Sequence, residues 1–280
     1  MSTDRCFDFH LHTRYSDGTR SPSDALDLAA RAGLAGISIT DHDTVDAYLE
    51  DPPASQVGAR TSSTERTQPW VLPGVEFSTR LDDDEVHILG YFPAGISSAV
   101  TVYVEDILAR RERRIRAAIR KLRERALDIS WEECFHRASG RVVNKSHLAE
   151  ELVEKRYVGR AHRAYAELLG PEVVPLPEDR AEDVVGAVGD LGGISVWAHP
   201  SAKQLAARAE RLREAGLDGV EIFIPRRKPK ERHELASEAR NRGLLVTGGS
   251  DWHGKKSGPN LGSFRVAEAN VADFLDRLGK

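Results

Sequence analysis

At 280 residues, with 40% hydrophobic and 30% charged side chains, the chain can bury a large core and suits one α/β barrel or a barrel carrying an insertion. Its 40 basic and 44 acidic residues leave a formal charge of -4, which excludes a global field for nucleic acid, so any polyanion contact needs a local patch. Two cysteines far apart, Cys6 and Cys134, suggest neither a disulfide framework nor a thiolate metal site, and no apolar run approaches the roughly 20 residues that span a bilayer. The first residues lack the basic, apolar, small-residue order of a signal peptide. Cytoplasm is therefore the expected location, with no membrane and no obligate protein partner in view.

The first predicted strand is Cys6-Phe7-Asp8-Phe9, running into His10-Leu11-His12. Strand side chains alternate, so His10 and His12 share one face while Phe7, Phe9 and Leu11 share the other. Two imidazoles one pleat apart can grip one metal ion, with the apolar face buried as a support. Asp17-Gly18 follows, and Ser21-Pro22-Ser23-Asp24 starts a helix whose apolar face is Ala25, Leu26, Leu28, Ala29, Ala32 and Leu34, stopped by Gly33 and Gly36. Ile37 to Thr40 is the second strand, with Asp41-His42-Asp43 at its end, and the order strand, helix, strand argues for parallel pairing.

From Glu50 to Pro69 the composition turns to Pro, Ser, Thr, Gly and Arg without an apolar period, which reads as a surface loop. Trp70 to Val75 is a third strand ending at Glu76, and Val86 to Phe92, containing His87, is a fourth. A long arginine-rich helix is expected over Val102 to Leu127, with shorter ones over Trp131 to Ala138, His147 to Val153 and Ala161 to Leu169. These place a small helical insertion at 99–175 within a main body formed by 1–98 and 176–280. Pro171 to Pro177 is the return linker and Arg180 to Asp190 a helix of the main body. The barrel rhythm resumes with a strand at Gly193 to Trp197 leading into His199, a helix over Lys203 to Ala215, and a strand at Gly219 to Ile224. It closes with a helix over Pro229 to Asn241, a strand from Leu244 leading into Asp251 and His253, and a capping helix over Val271 to Leu278.

One histidine on a strand is most simply a hydrogen-bonded core residue. Here His10, His12, Asp17, His42, Glu76, His87, His199, Asp251 and His253 all stand where strands end. In a parallel α/β barrel those ends gather at one face, so the groups converge although scattered along the chain. Imidazoles facing each other without a cation would leave unsatisfied nitrogens and repel when protonated, which metal ions prevent.

With these residues in hand, the chain resembles the PHP (polymerase and histidinol phosphatase) family of metal-dependent phosphoesterases. The resemblance runs from Asp8 to Gly254. It rests on Phe7-Asp8-Phe9-His10-Leu11-His12-Thr13, Ser16-Asp17-Gly18, Ile39-Thr40-Asp41-His42-Asp43, Pro73-Gly74-Val75-Glu76, His87, Ala198-His199-Pro200 and Gly249-Ser250-Asp251-Trp252-His253-Gly254. It implies a distorted barrel of seven strands and helices holding two or three divalent metals. His10, His12, Glu76 and Asp251 would surround the first metal, Glu76, His87 and His199 a second, and Asp17, His42 and His253 a third. Glu76 would bridge, and Glu76, Asp17, His42 and Asp251 form the expected catalytic centre. Imidazole and carboxylate donors without thiolate suit manganese, iron or zinc and do not choose among them. A carboxylate bridging metals roughly 3.5–4 Å apart is the arrangement that generates hydroxide at neutral pH, so the expected chemistry is in-line attack of a bridging hydroxide on phosphorus.

The expected substrate is a nucleotide, such as a nucleoside 3',5'-bisphosphate or a short oligonucleotide. Lys145, in Asn144-Lys145-Ser146-His147, stands where related proteins carry an arginine and can still neutralise a phosphate without the bidentate fork. His147 either donates to the substrate or makes a helix-start hydrogen bond. Arg226, in Arg226-Arg227-Lys228, and Lys255-Lys256 either steer phosphate or are surface charge. The arginines from Arg110 to Arg125 are either a solvated helix or a cationic lid for a nucleic-acid backbone. Rival readings are a phosphatase for a small monoester such as histidinol phosphate, an amidohydrolase, disfavoured because Glu76 rather than a lysine takes the bridging place, and a non-catalytic, metal-stabilised nucleic-acid-binding module.

Overall fold

The computed structural model describes residues 5–52, 68–139, 141–255 and 258–280. β1 (Cys6–Leu11) is followed by α1 (Pro22–Arg31), β2 (Gly36–Ile39), the short α2 (Asp46–Leu49), β3 (Trp70–Val71), β4 (Gly74–Leu81) and β5 (Asp84–Tyr91). Four helices come next: α3 (Ser98–Glu124), α4 (Trp131–Arg137), α5 (Lys145–Glu154) and α6 (Ala161–Glu167). The chain then returns through α7 (Ala181–Asp190), β6 (Ile194–Trp197), α8 (Ala202–Glu214), β7 (Gly219–Phe223), α9 (Pro229–Asn241), β8 (Leu245–Gly248), β9 (Val266–Ala267) and α10 (Ala272–Arg277). Most of the expected loop, residues 53–67, lies outside the described residues, as does Lys256.

The fold is mixed α/β. One sheet has the order β3-β2-β1-β9 and the other β4-β5-β6-β7-β8. β1 and β2 pair in parallel, as the intervening helix requires. Local chemistry explains that helix: the Ser21 hydroxyl accepts from the Asp24 amide, Asp24 reaches back to the Ser21 amide, and Pro22 opens the first turn. Ala25, Leu26 and Ala29 form its buried face.

Several details differ from the expectation. The sheets do not close into one ladder. They meet through single bridges, Leu11 with Trp252 and His42 with Glu76, where the chain turns into polar residues and Asp43 and Asp251 take positive φ, ending regular pairing. The strand expected over Trp70 to Val75 is two strands, because Pro73 has no amide to donate and the chain changes sheets there: β3 pairs with β2, β4 with β5. β4 and β5 form an antiparallel hairpin, and β5 and β6 are also antiparallel, so the run is not a plain strand-helix alternation. The short β9, antiparallel to β1, was not foreseen.

The main core joins Phe7 and Phe9 of β1 to β4 through β8, α7 and α10, with the Phe9 and Phe274 rings edge to face at 5.3 Å. Burying aromatics behind β1 contributes about 2–3 kcal/mol per side chain and fixes the strand that carries His10 and His12. A second apolar cluster extends from Ile115 to Val174, including Val173 and Val174 of the expected linker. α3 serves both, with Val100, Val104 and Ile107 in the main core and Ile115, Ala118, Ile119 and Leu122 in the second.

The arginine-rich helix is solvated over only part of its surface: Arg113, Arg116, Arg120, Arg123 and Arg125 are exposed. Arg111 and Arg114 are buried at the changeover between the two cores, against Asp43 and Glu85 respectively. Arg110 pairs with Asp179 at 2.8 Å and Arg116 lies 3.7 Å above the Trp131 ring. Acidic and aromatic partners supplied by distant segments absorb much of the charge that composition shows as excess.

Candidate metal centre

His10, from the inner face of β1, and His12, one residue beyond its end, are fully buried with their Nε2 atoms 3.1 Å apart. Glu76, near the start of β4, meets them: its Oε2 lies 3.2 Å from His10 Nε2, 3.1 Å from His12 Nε2 and 3.2 Å from His42 Nδ1. Its Oε1 lies 2.8 Å from His87 Nδ1 and 3.2 Å from His199 Nε2. Asp251 Oδ1 comes within 3.3 Å of His12 Nε2, and Asp17 Oδ1 within 3.2 Å of His253 Nε2. All nine residues thus share one site, although they come from most of the length of the chain and Glu76 and His87 lie within β4 and β5 rather than at the expected strand ends.

The backbone is shaped to allow this. Gly249 is packed so closely that a Cβ there would lie 2.4 Å from His10 Cβ. His199 and Asp251 adopt φ of 36° and 54°, a region costly for residues with a side chain and tolerated where the surroundings hold it.

Three overlapping groups of ligand atoms lie within 4.8 Å of one another: His10, His12, Glu76 and Asp251; His12, Asp17, His42 and His253; and His42, Glu76 and His87. The first matches the expected grouping. In the other two, His12 joins Asp17, His42 and His253, and His42 stands with Glu76 and His87, while His199 approaches Glu76 from outside these groups. Glu76 Oε2, Asp17 Oδ1 and His42 Nδ1 are buried without a hydrogen-bond partner. Buried polar atoms left unmade are costly, and here they point at one another from donors that suit divalent cations.

Electrostatics agree. Burial alone would lower the His10 pKa, yet Glu221, Glu76 and Asp251 carry it well above the ordinary imidazole value. Burial likewise opposes protonation of His12, which Asp251 and Glu76 nevertheless raise to about 10. Glu76 resists the upward push of burial and is held well below the usual carboxylate range by His10, His42 and His87. The cluster is an acidic pit that favours positive charge, which protons or metal ions supply.

Sequence reasoning gave no role to the supporting residues. Glu221, on β7, lies 3.0 Å from His10 Nδ1 and accepts from the His199 backbone amide at 2.9 Å, so one buried carboxylate orients the His10 imidazole and anchors the backbone that carries His199. Asp41 accepts from the Thr13 amide at 2.7 Å and from the Ser16 hydroxyl at 2.6 Å, fixing the turn after His12. The available signal was a carboxylate in the middle of an otherwise apolar strand, Val220-Glu221-Ile222.

The expected substrate residues fare unevenly. His147 is buried and its Nδ1 accepts from the Asn144 amide at 3.0 Å, which is the helix-start bond. Its neighbour Ser146 donates to Asp17 Oδ2 at 3.0 Å and brings α5 to the site. Lys145 is half-buried, with Nζ 5.8 Å from the centre of the Tyr165 ring. Lys255 lines a cleft of about 320 Å³ beside Asp17, Asp251 and His253, and lies 3.4 Å from Glu150. Arg226 is exposed. Arg227 is instead the ordered member of its basic run, buried and donating to the Ile222 carbonyl at 2.7 Å and to the Pro200 carbonyl beside His199.

Comparison with known proteins matches the PHP domain model to residues 8–154, more than half of the chain. The chain belongs to the PHP family. It is accordingly a metal-dependent phosphoesterase, a hydrolase. Among its PHP relatives, the 5'-3' exoribonuclease Rnm of Salmonella typhimurium is 29% identical, covering 88% of this chain and 85% of that one. The 3',5'-nucleoside bisphosphate phosphatase of Chromobacterium violaceum is also 29% identical, over 90% and 88%. The phosphoribosyl 1,2-cyclic phosphate 1,2-diphosphodiesterase of Eggerthella lenta is 30% identical, over 92% and 98%. A crystal structure from Bifidobacterium adolescentis, described provisionally as a metal-dependent phosphoesterase, superposes with a TM-score of 0.74 at 27% identity and covers 97% of this PHP chain and 96% of that one.

Proposed function

We propose that this protein hydrolyses a phosphate ester of a nucleotide, such as a nucleoside 3',5'-bisphosphate or a short oligonucleotide, using two or three divalent ions of manganese, iron or zinc. The observation that carries the reading is Glu76 Oε2, buried, unpartnered and faced by ring nitrogens of His10, His12 and His42 at 3.1–3.2 Å. His10, His12, Glu76 and Asp251 would hold one ion, His12, Asp17, His42 and His253 another, and Glu76 with His42, His87 and His199 a third. When bound, such ions supply a hydroxide at neutral pH and neutralise charge on the attacked phosphate.

The chain's own residues do the remaining work. Glu221 keeps the Nδ1 side of His10 occupied, so that Nε2 is free to face the centre. Ser146 orients Asp17, and the closely packed Gly249 lets the Asp251 turn approach β1. Lys145, on α5, and Lys255 would attract a second phosphate on the same substrate. The insertion at 99–175 then serves as a wall of the substrate cleft over a body formed by 1–98 and 176–280, in a cytoplasmic setting.

Two of the relatives named above support the nucleotide reading, acting, by name, on RNA and on nucleoside bisphosphates. A second reading, a base-free phosphorylated ribose, has support from the Eggerthella relative. Hydrolysis in manganese, read as phosphate release from a nucleoside 3',5'-bisphosphate, a ribose bisphosphate and histidinol phosphate and as mononucleotide release from a short RNA, separates them. Preference for the bisphosphate or the RNA is the expected result, and preference for a base-free monoester would overturn the nucleotide assignment.

A further inference from the structure

The cleft at the metal centre has an aromatic wall that the chemistry at phosphorus does not use. Its floor is Asp17, Asp251 and His253, and Lys255 and Tyr165 of α6 also line it. Tyr165 is one of few large side chains with a substantial exposed apolar surface, at 41%, and it lines this cleft. Lys145 Nζ stands 5.8 Å from its ring centre, and among the described residues no carboxylate pairs with that ammonium.

A ring and an unpaired cation beside a phosphate-cleaving centre form the combination that recognises a nucleotide, because every base has a π-face and every phosphate a charge. An inorganic phosphate or a small alkyl ester would touch the floor and leave the ring wet. An aromatic surface kept exposed at a functional cleft has a cost in water that a stacked base removes.

We propose that Tyr165 is the base-stacking residue of this enzyme, receiving the nucleobase while Lys145 meets the phosphate remote from the one cleaved. The inference rests on the nucleotide reading above and sharpens it: selection among phosphate esters is made on the helical insertion, by one ring. Because stacking is tolerant of base identity, the site accepts purine and pyrimidine alike and discriminates mainly against substrates without a base.

The test compares wild type, Tyr165→Leu and Tyr165→Phe on a nucleoside 3',5'-bisphosphate and on the corresponding base-free ribose bisphosphate. Binding of the nucleotide to the Glu76→Gln background is measured by calorimetry as a readout independent of turnover. Tyr165→Leu should raise the nucleotide KM and dissociation constant by about tenfold, leave kcat within about twofold, and leave the base-free substrate unchanged. Tyr165→Phe, which keeps the π-face, should stay near wild type. An unchanged nucleotide KM and dissociation constant in Tyr165→Leu, with wild type still cleaving the nucleotide, would overturn the stacking role while sparing the nucleotide reading. Equal losses on both substrates would also overturn it, as damage to the fold of the insertion. Wild type that cleaves the base-free ester and no nucleotide would remove the nucleotide reading first, and the stacking role with it.

Discussion

Arg111 of α3 and Asp43, one residue beyond His42, form a buried ion pair that fastens α3 to the turn carrying His42. The same guanidinium donates to the Ser78 hydroxyl at 2.6 Å and to the Asn144 side chain ahead of α5. Asp43 also accepts from the Ser78 amide at 2.8 Å, so one arginine braces β4, the His42 turn and the start of α5 together.

Removing one member of such a pair leaves the other buried and uncompensated. Arg111→Ala is expected to cost about 3–5 kcal/mol of stability, read by urea denaturation. Arg111→Lys keeps the charge without the fork and should fall between the alanine variant and wild type. Wild-type stability in Arg111→Ala would show that the pair does not brace the fold.

Glu76 faces five imidazoles with its two oxygens, and its replacement tests the centre without changing its size. Glu76→Gln should lose at least one equivalent of bound metal by elemental analysis and lower turnover by two or more orders of magnitude, on the order expected when a metal-held electrostatic contact is lost. Metal bound to the native state adds stability by mass action, so a chelator should lower the wild-type melting temperature and move that of Glu76→Gln less. Equal shifts in the two proteins would count against Glu76 as a shared ligand.

Gly249 gives a purely steric test. A methyl at this position would meet His10 backbone and Cβ atoms at 2.4–2.9 Å, so Gly249→Ala should weaken metal binding by displacing β1 from the Asp251 turn. Gly186, inside α7 with open space around it, is the control, and Gly186→Ala should be neutral or stabilise by up to about 1 kcal/mol. Matching effects of the two substitutions on metal affinity would refute the steric argument.

Cys134, at the heart of the second cluster, is fully buried, and burial pushes its thiol from 9.0 up to about 12. Near neutral pH it should resist an alkylating reagent until the chain opens, then react at the unfolding rate. Its linkage has a definite sign. The unfolded thiol ionises first, so this residue's share of stability is intact below about pH 9 and declines as pH rises towards 12. Rapid modification of Cys134 in native protein would show that the second cluster is loosely packed.

Much of the site was legible because strand ends are marked in the sequence by local changes: His10 and His12 by alternation, His42, His199 and Asp251 by apolar runs that stop at polar residues. The pairing of β1 with β2 followed from the short helix between them. What was not legible depends on partners distant in the chain. Nothing near Arg111 in the sequence signals Asp43, so its charge read as part of a basic helix. The β4–β5 hairpin was hidden by Asp82-Asp83-Asp84, which lacks the glycine that usually marks a tight turn, although Asp82 takes φ of 55°. Glu221 looked like one polar residue in a strand until the fold placed His10 and His199 against it.

The most direct measurement is anomalous diffraction from crystals grown with manganese, collected for wild type and Glu76→Gln. The account predicts peaks ligated by His10, His12, Glu76 and Asp251, and by His12 or His42 with Asp17 and His253, with the peak at Glu76 lost or weakened in the variant. Manganese bound elsewhere, with Glu76 empty in crystals of protein active with that metal, would contradict it.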